Sequence, residues 1–420
     1  LQVYKFGGAS IATPERMTAL LPIISVAEKP LVVVVSALGK TTNALELVVD
    51  AAHKGDIITA HERIATLERE HFAYASAILK GTALQQFKDA LTIIITEMQW
   101  ACDDATQFAY GYVYDQIVSL GELMSTNIFS QYLAQEGYSN TWLDARDIIR
   151  TDNNYRDAQV DEAFTHSRVA AVMRPTLEQK GIVVTQGFIG STDENCSTTL
   201  GREGSDYSAA LFGNMLDAAG VTIWKDVAGL LNADPRLFND TVKIPEISYY
   251  EVIEMAYYGA QVIHPKTIKP LHNKGIPLYV KCFLDADIPG TVIKKAVTAA
   301  YPPIIVYKKD QVLVQVISKD YSFVTEDVLS EIYEIFARHH VKINIMQNAA
   351  ISLVVSIDNR EDKIAPLIAD LAQHFDVRRN DSAELLTVRH YTDEIIQKLT
   401  KGRTILLEQK SRKTAQFIVR

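Results

Sequence analysis

Lys5 lies two residues before an adjacent glycine pair, Gly7 and Gly8, and directly after Val3-Tyr4, which reads as part of a buried strand. Adjacent glycines let a backbone approach phosphate oxygens closely, and a nearby lysine adds a mobile positive charge, although the same pair also serves an ordinary turn. In residues 198–210, Gly201 and Gly204 bracket Arg202 and Glu203, and Ser205-Asp206 lead into an Ala-rich helix. A guanidinium and helix N-terminal N–H groups would meet there. Arginine grips carboxylates with two prongs, so the segment points to a small anionic ligand, with a plain helix cap and surface arginine as the alternative. Glu122, in Gly121-Glu122-Leu123-Met124-Ser125, sets one carboxylate in an apolar helical stretch, where such a side chain is usually solvated or paired. Thr42 belongs to a small polar loop, 36–43, able to offer hydroxyl and N–H groups. Trp224-Lys225-Asp226 leads on through Leu231 to Asp234-Pro235-Arg236, and Gly259-Ala260-Gln261-Val262-Ile263-His264-Pro265 follows. His264 precedes a proline and has no nucleophile to serve, which suits a structural hydrogen bond better than catalysis. Neither a Walker A loop nor the catalytic-loop and D-F-G signatures of protein kinases occur.

These residues need a frame, and the pattern supplies one. Strands are expected at 3–4, 31–35, 181–186 and 221–225, each followed by loop and helical pattern, the order of an α/β layered fold with a largely parallel sheet. In such sheets ligands bind beyond the carboxyl ends of the strands, where all the segments above fall. Residues 51–98, rich in Ala, Leu, Glu, Lys and Gln, read as helical hairpins beside the sheet. The pattern changes around Pro302-Pro303, giving expected domains at 1–298 and 303–420. In the second, strands at 304–306, 312–317, 341–346 and 351–357 and helices at 326–339 and 363–374 follow the β-α-β-β-α order of a ferredoxin-like module. A shorter second copy is expected from a strand at 385–390, a helix at 393–399, and strands at 404–409 and 414–419.

Composition removes several classes of function. The 420 residues carry a net charge of -9, which opposes a broad nucleic-acid or anionic-membrane surface. Cys102, Cys196 and Cys282 are far apart and make no C-x-x-C pair, so a reducing cytosol is expected, with no zinc site or disulfide framework. No apolar run approaches the roughly 20 residues that span a bilayer, and the chain opens without a signal-peptide pattern.

Taken in order, the segments resemble those of the aspartokinases, members of the amino acid kinase superfamily. Residues 5–10 resemble the K-F-G-G-[TS]-S opening, 121–125 the G-E-L-[LM]-S motif, and 199–210 the T-L-G-R-G-G-S-D-[YT]-[TS]-A motif. Asp226 with Asp234-Pro235-Arg236 resembles D-V-x-G-[IL]-x-x-[AT]-D-P-R, and 259–265 resembles G-A-x-V-[IL]-H-P. The resemblance covers essentially the whole chain. It implies a three-layer amino-acid-kinase sheet domain followed by ferredoxin-like ACT modules. It also implies transfer of the ATP γ-phosphoryl to the β-carboxylate of L-aspartate, the first step of lysine, threonine and methionine biosynthesis.

By that resemblance Lys5 and Asp206 are catalytic, with Gly7 and Gly8 around the phosphates and Asp206 orienting the lysine. Glu122 would take the ammonium of aspartate and Arg202 its α-carboxylate, with Thr42 and Ser205 adding hydrogen bonds. Lys225, Asp226, Leu231, Arg236, Gln261 and Val262 fall on the nucleotide side. Mg²⁺ would arrive with ATP as part of the substrate complex, with no protein metal ligand and no tightly bound cofactor. A homodimer and an amino-acid effector at the ACT region are further expectations. The chain departs from the family pattern at Ala9, Glu203, Lys225, Leu231 and Gln261. Of the rival readings, a sister kinase for another carboxylate is opposed by the G-E-L-M-S segment and the ACT-like tail. A silent amino-acid sensor is opposed by retention of Lys5, Glu122, Arg202, Asp206 and Asp226. No G-x-G-x-x-G stretch supports a fused dehydrogenase. Asn344, Ala349 and Ala350 stand where lysine-sensitive relatives carry acidic and serine side chains, so weak or absent lysine inhibition is expected.

Overall fold

The structure is a computed structural model that describes every residue except Val262 and Ala299. The described residues fall into two units. The first comprises 1–230, 245–253 and 263–298; the second comprises 231–244, 254–262 and 299–420.

The first unit is built on the strands β1 (Gln2–Phe6), β2 (Leu31–Val35), β3 (Thr141–Leu143) and β4 (Ile182–Gln186), the hairpin of β5 (Ile189–Ser191) and β6 (Ser197–Thr199), and β7 (Gly220–Lys225), β8 (Glu246–Ser248), β9 (Leu278–Cys282) and β10 (Thr291–Lys294). Outside the hairpin they form one sheet in the order β3-β4-β2-β1-β7-β9-β10-β8. From β3 to β9 all neighbours are parallel, and only β10 runs against β9. β2 and β4 are buried along their whole length, as strands covered on both faces must be, which explains the unbroken Leu-Val-Val-Val-Val run. The α/β class expected from sequence is therefore found. The strands β3, β5, β6, β8, β9 and β10 lack such an unbroken run and are not among those expected from sequence.

The chain passes from β1 to β2 on one side of β1 and returns, through the helix Gly204–Met215, to β7 on the other. That reversal opens a crevice at the carboxyl end of β1, where the registers align Phe6 with Val35 and with Trp224. Stacking of Phe6 on Trp224, with centroids 6.1 Å apart, floors this end of the sheet. Ile57–Ile78 and Gly81–Asp103 are the helices expected around 51–98, and a further helix, Thr41–His53, begins within the segment read as a polar loop, so Thr41, Thr42 and Asn43 are helical.

The second unit holds β11 (Ile304–Ser318), β12 (Ile343–Asn348), β13 (Ser352–Asp358), β14 (Phe375–Arg389), β15 (Ile405–Lys410) and β16 (Thr414–Val419), in the antiparallel order β12-β13-β11-β14-β16-β15. The two expected ferredoxin-like copies thus share a single sheet. β11 and β14, fifteen residues each, run through both copies, with an irregular register between Lys308 and Leu313. The sequence reading had split β11 at its polar Lys-Lys-Asp-Gln centre, which sits at that irregularity. Val314, Ile332, Phe336, Leu353 and Leu367 are among the residues packed under the helices Glu326–Arg338 and Glu361–His374. Residues 231–244 and 254–262 join this unit through specific bonds. Ile305 N–H donates to Asn232 O at 2.7 Å, and the buried Arg389 pairs with Glu254 at 2.6 Å.

Candidate active site

Lys5, the fourth residue of β1, points over the glycine pair that follows. Its Nζ lies 2.7 Å from Asp206 Oδ1, while Lys225 Nζ, from the last residue of β7, lies 3.8 Å from Asp206 Oδ2. Asp206 is supplied by the first turn of the helix Gly204–Met215 and is buried. Burial alone would raise its carboxyl pKa, but the charges of Lys5 and Lys225 outweigh that and hold it below the ordinary carboxylate range. Two cations share one buried anion, so the cluster carries net positive charge toward the crevice.

Gly8 belongs to the same floor. A Cβ there would stand 2.8 Å from the carbonyl of Ala37, so only glycine lets the loops after β1 and β2 approach this closely. Ser36, next after β2, donates its hydroxyl to Ser205 Oγ at 3.0 Å, tying the second loop to the start of the Asp206 helix. Thr42 lies half-buried in the first turn of the helix Thr41–His53.

Glu122 enters from the helix Leu120–Gln135. Gly121 makes this possible, because a Cβ there would meet Leu45 at 2.9 Å and Ala37 at 3.2 Å. Ser125 locks the same turn by donating to Ser36 O at 2.7 Å. The Glu122 carboxyl is buried; Oε1 accepts from Ala37 N–H at 3.4 Å and Oε2 has no hydrogen-bond partner. Burial pushes its pKa up to about 8, against the opposing pull of the Ala37 N–H and the Lys5 charge. A buried carboxyl with an open oxygen is poised for a cationic partner.

Arg202 is exposed on the turn between β6 and the Asp206 helix, and among the described residues its guanidinium has no ion-pair partner. Its neighbour Glu203 adopts φ +54°, a left-handed conformation that explains why the resembled motif carries glycine at this place. Asp226 is exposed one residue beyond β7. The structure thus gathers Lys5, Gly8, Glu122, Ser205, Asp206 and Lys225 around the carboxyl ends of β1, β2 and β7. Leu231, Arg236 and Gln261 belong to the second unit, where Arg236 forms a two-pronged pair with Asp234 at 2.8 and 3.0 Å. Val262 lies outside the described residues. His264 caps the helix Pro265–Lys274, its Nδ1 accepting from Lys266 N–H at 3.2 Å, a structural bond of the kind expected. Ser36 opens the polar loop 36–43 picked out in the sequence, which gives no individual role to it; its bond to Ser205 is seen only in the fold.

A parallel sheet whose switch point carries glycines, two lysines on one aspartate and a helix N-terminus defines a protein built to hold and transfer phosphoryl groups without a Walker loop. The chain belongs to the amino acid kinase family, whose model matches residues 1–282. It is 32% identical over 359 residues to lysine-sensitive aspartokinase 3 of Escherichia coli, covering 85% of this chain and 78% of that one. It is 34% identical over 303 residues to the chloroplastic bifunctional aspartokinase/homoserine dehydrogenase 2 of Arabidopsis thaliana, of which it spans 32%. The crystal structure of E. coli aspartokinase III in complex with aspartate and ADP superposes with a TM-score of 0.83 at 26% identity, covering 100% of this chain and 96% of that one. The expected membership of this superfamily is thereby found.

Proposed function

We propose that the chain transfers the γ-phosphoryl of ATP to the β-carboxylate of L-aspartate, giving 4-phospho-L-aspartate and ADP. The observation that carries this reading is the buried Glu122 carboxyl, with one oxygen unpartnered, on the same crevice as the Lys5–Asp206–Lys225 cluster. An ammonium site beside a phosphate site is what an amino acid kinase requires. Glu122 takes the α-ammonium and Arg202 the α-carboxylate, while Thr42 and Ser205 hydrogen-bond the substrate. The β-carboxylate oxygen attacks the γ-phosphorus in line as the bond to the ADP oxygen breaks. Lys5, held by Asp206, faces the charge on the moving phosphoryl, and Gly7 and Gly8 bring backbone N–H groups to its oxygens. No covalent enzyme intermediate is needed.

On the nucleotide side Lys225, Asp226, Leu231, Arg236, Gln261 and Val262 are assigned. Mg²⁺ neutralises the ATP phosphates when bound. The buried carboxylate nearest the phosphates is already shared by two lysines, so phosphate and water oxygens suit the ion better than protein side chains do. Residues 1–298 form the catalytic region and 303–420 a regulatory one that senses an amino acid and pairs two copies of the chain, using the open sheet edges β12 and β15. The free thiols of Cys102, Cys196 and Cys282 suit the reducing cytosol, where the aspartate and ATP pools lie. A coupled ADP-release assay with aspartate, glutamate and carbamate tests the substrate. Turnover with aspartate should exceed the others, and a higher rate with glutamate or carbamate would overturn the assignment.

A further inference from the structure

The turn that carries Arg202 is gripped from both sides by the start of another helix. On the near side, Lys266 Nζ donates to Leu200 O at 3.1 Å and pairs with Asp157 at 2.8 Å, while lying over the Tyr207 ring at 5.4 Å. The same Asp157 carboxylate packs against Gly201. On the far side, Glu203 Oε2 accepts the backbone N–H of His264 at 2.8 Å. The Glu203 carbonyl in turn accepts from the N–H groups of Asp206 and Tyr207, at 3.0 and 3.1 Å, so one residue anchors both the turn and the helix of Asp206. Lys266 and His264 belong to the start of the helix Pro265–Lys274, and His264 is its cap. The two residues flanking Arg202, Gly201 and Glu203, both have left-handed backbones, at φ +73° and +54°. The backbone of the turn is closed by Gly204 N–H donating to Gly201 O at 3.0 Å, and the contacts with Lys266, Asp157 and His264 tie that closed turn to the rest of the unit.

We infer that Glu203 and Lys266 are positioning residues that aim Arg202 at the substrate carboxylate. Glu203 stands where the resembled motif has glycine, so this grip is a feature of the present chain. The substitution accepts an unfavourable backbone conformation and gains a charge-assisted bond 61 residues away in sequence. A side chain whose direction is fixed before ligand arrives loses less freedom on binding, so the effect falls on aspartate affinity. The inference rests on the role proposed above for Arg202.

The test compares Glu203→Gly, Glu203→Gln, Lys266→Met and Arg202→Ala with the parent chain in steady-state kinetics against aspartate and MgATP. Glu203→Gly frees the turn while suiting φ +54°, so the variant folds. Its aspartate KM should rise about tenfold, the scale of one charge-assisted hydrogen bond, with kcat and the MgATP KM within about twofold. Glu203→Gln can still accept from His264 N–H and should restore most of the affinity. Lys266→Met should behave like Glu203→Gly, with thermal unfolding recorded to separate loss of fold from loss of aim. An aspartate KM in Glu203→Gly equal to or below the parent's would overturn the inference, as would a fall in kcat matching the rise in KM. If Arg202→Ala also leaves the aspartate KM unchanged, the failure lies in the proposed role of Arg202 and not in the grip alone.

Discussion

Binding of aspartate should depend steeply on pH, through Glu122. In the free protein burial raises this carboxyl to about 8, far above its usual value near 4.5. The folded state therefore holds a proton that the unfolded chain releases between those values. Stability from this group is greatest below about pH 4.5 and falls as pH rises toward 8. An ammonium needs the ionised form. With a pKa of about 8, roughly 1% of the free protein is ionised at pH 6, about 9% at pH 7 and half at pH 8. The apparent dissociation constant for aspartate should accordingly fall about 50-fold between pH 6 and pH 8 and then level off. At pH 7 each binding event should release about 0.9 proton. Isothermal titration of aspartate in two buffers of different ionisation enthalpy reads that number directly, and the same titrations across pH give the affinity profile. Glu122→Gln keeps the shape but not the charge, so it should bind weakly with a flat profile and no proton release. Parent protein with a flat profile between pH 6 and pH 8, or no proton release at pH 7, would refute the ammonium role.

Three other outcomes are expected. Lys5→Ala should lower kcat by about two to three orders of magnitude, the scale of one preorganised charge at a transition state, with a smaller change in aspartate KM. Arg202→Ala should raise the aspartate KM strongly at nearly constant kcat, and Arg202→Lys should recover only part, since an ammonium cannot replace the guanidinium fork. Lysine should inhibit weakly or not at all in a steady-state assay, in contrast to what the name of the E. coli relative implies for that enzyme. Asn344 is neutral and occupied: it donates to Gln311 and Asp358, each at 2.8 Å, and accepts from Lys308 at 2.9 Å. Asp358, the nearby acid, is engaged by the same network, and Ala349 and Ala350 offer no anion. An ammonium meeting a carboxylate at about 4 Å gains on the order of 4 kcal/mol at an effective dielectric near 20, before hydration is counted. Inhibition at micromolar lysine would show that another acidic group supplies that contact.

Legibility of the fold followed burial. β2 and β4 could be read from sequence because a strand buried on both faces has no choice but an apolar run. β5 and β6 are equally buried but consist of Ile-Gly-Ser and Ser-Thr-Thr, whose hydroxyls are satisfied from outside the hairpin: Ser191 donates to the Arg146 carbonyl, Thr198 bonds Thr151 and Thr199 donates to Asp115. Nothing in their local pattern separates them from a loop. β11 shows the opposite difficulty: its polar centre reads as a break, yet the strand continues, because Gln311 is satisfied within the sheet by Asp358 and Ser356. That 231–244 and 254–262 belong to the second unit follows from long-range contacts, such as Ile305 N–H to Asn232 O and Ala233 and Phe238 packed against Ile305 and Val388, which no periodicity encodes.

At the site, the residues that sequence singled out are those whose chemistry is carried by type and by place after a strand. Lys5 is the penultimate residue of β1 and Lys225 the last of β7, Asp206 lies in the first turn of a helix, and parallel registers bring such ends together whatever the intervening length. What sequence could not supply is the sense of a departure. From the sequence, Glu203 in place of glycine reads only as a departure from the resembled motif. In the fold its carboxylate turns away toward His264, and the same substitution becomes a tether for the arginine beside it. The sign of that effect depends on a backbone N–H 61 residues away, and only the packing of two helix starts brings the two together.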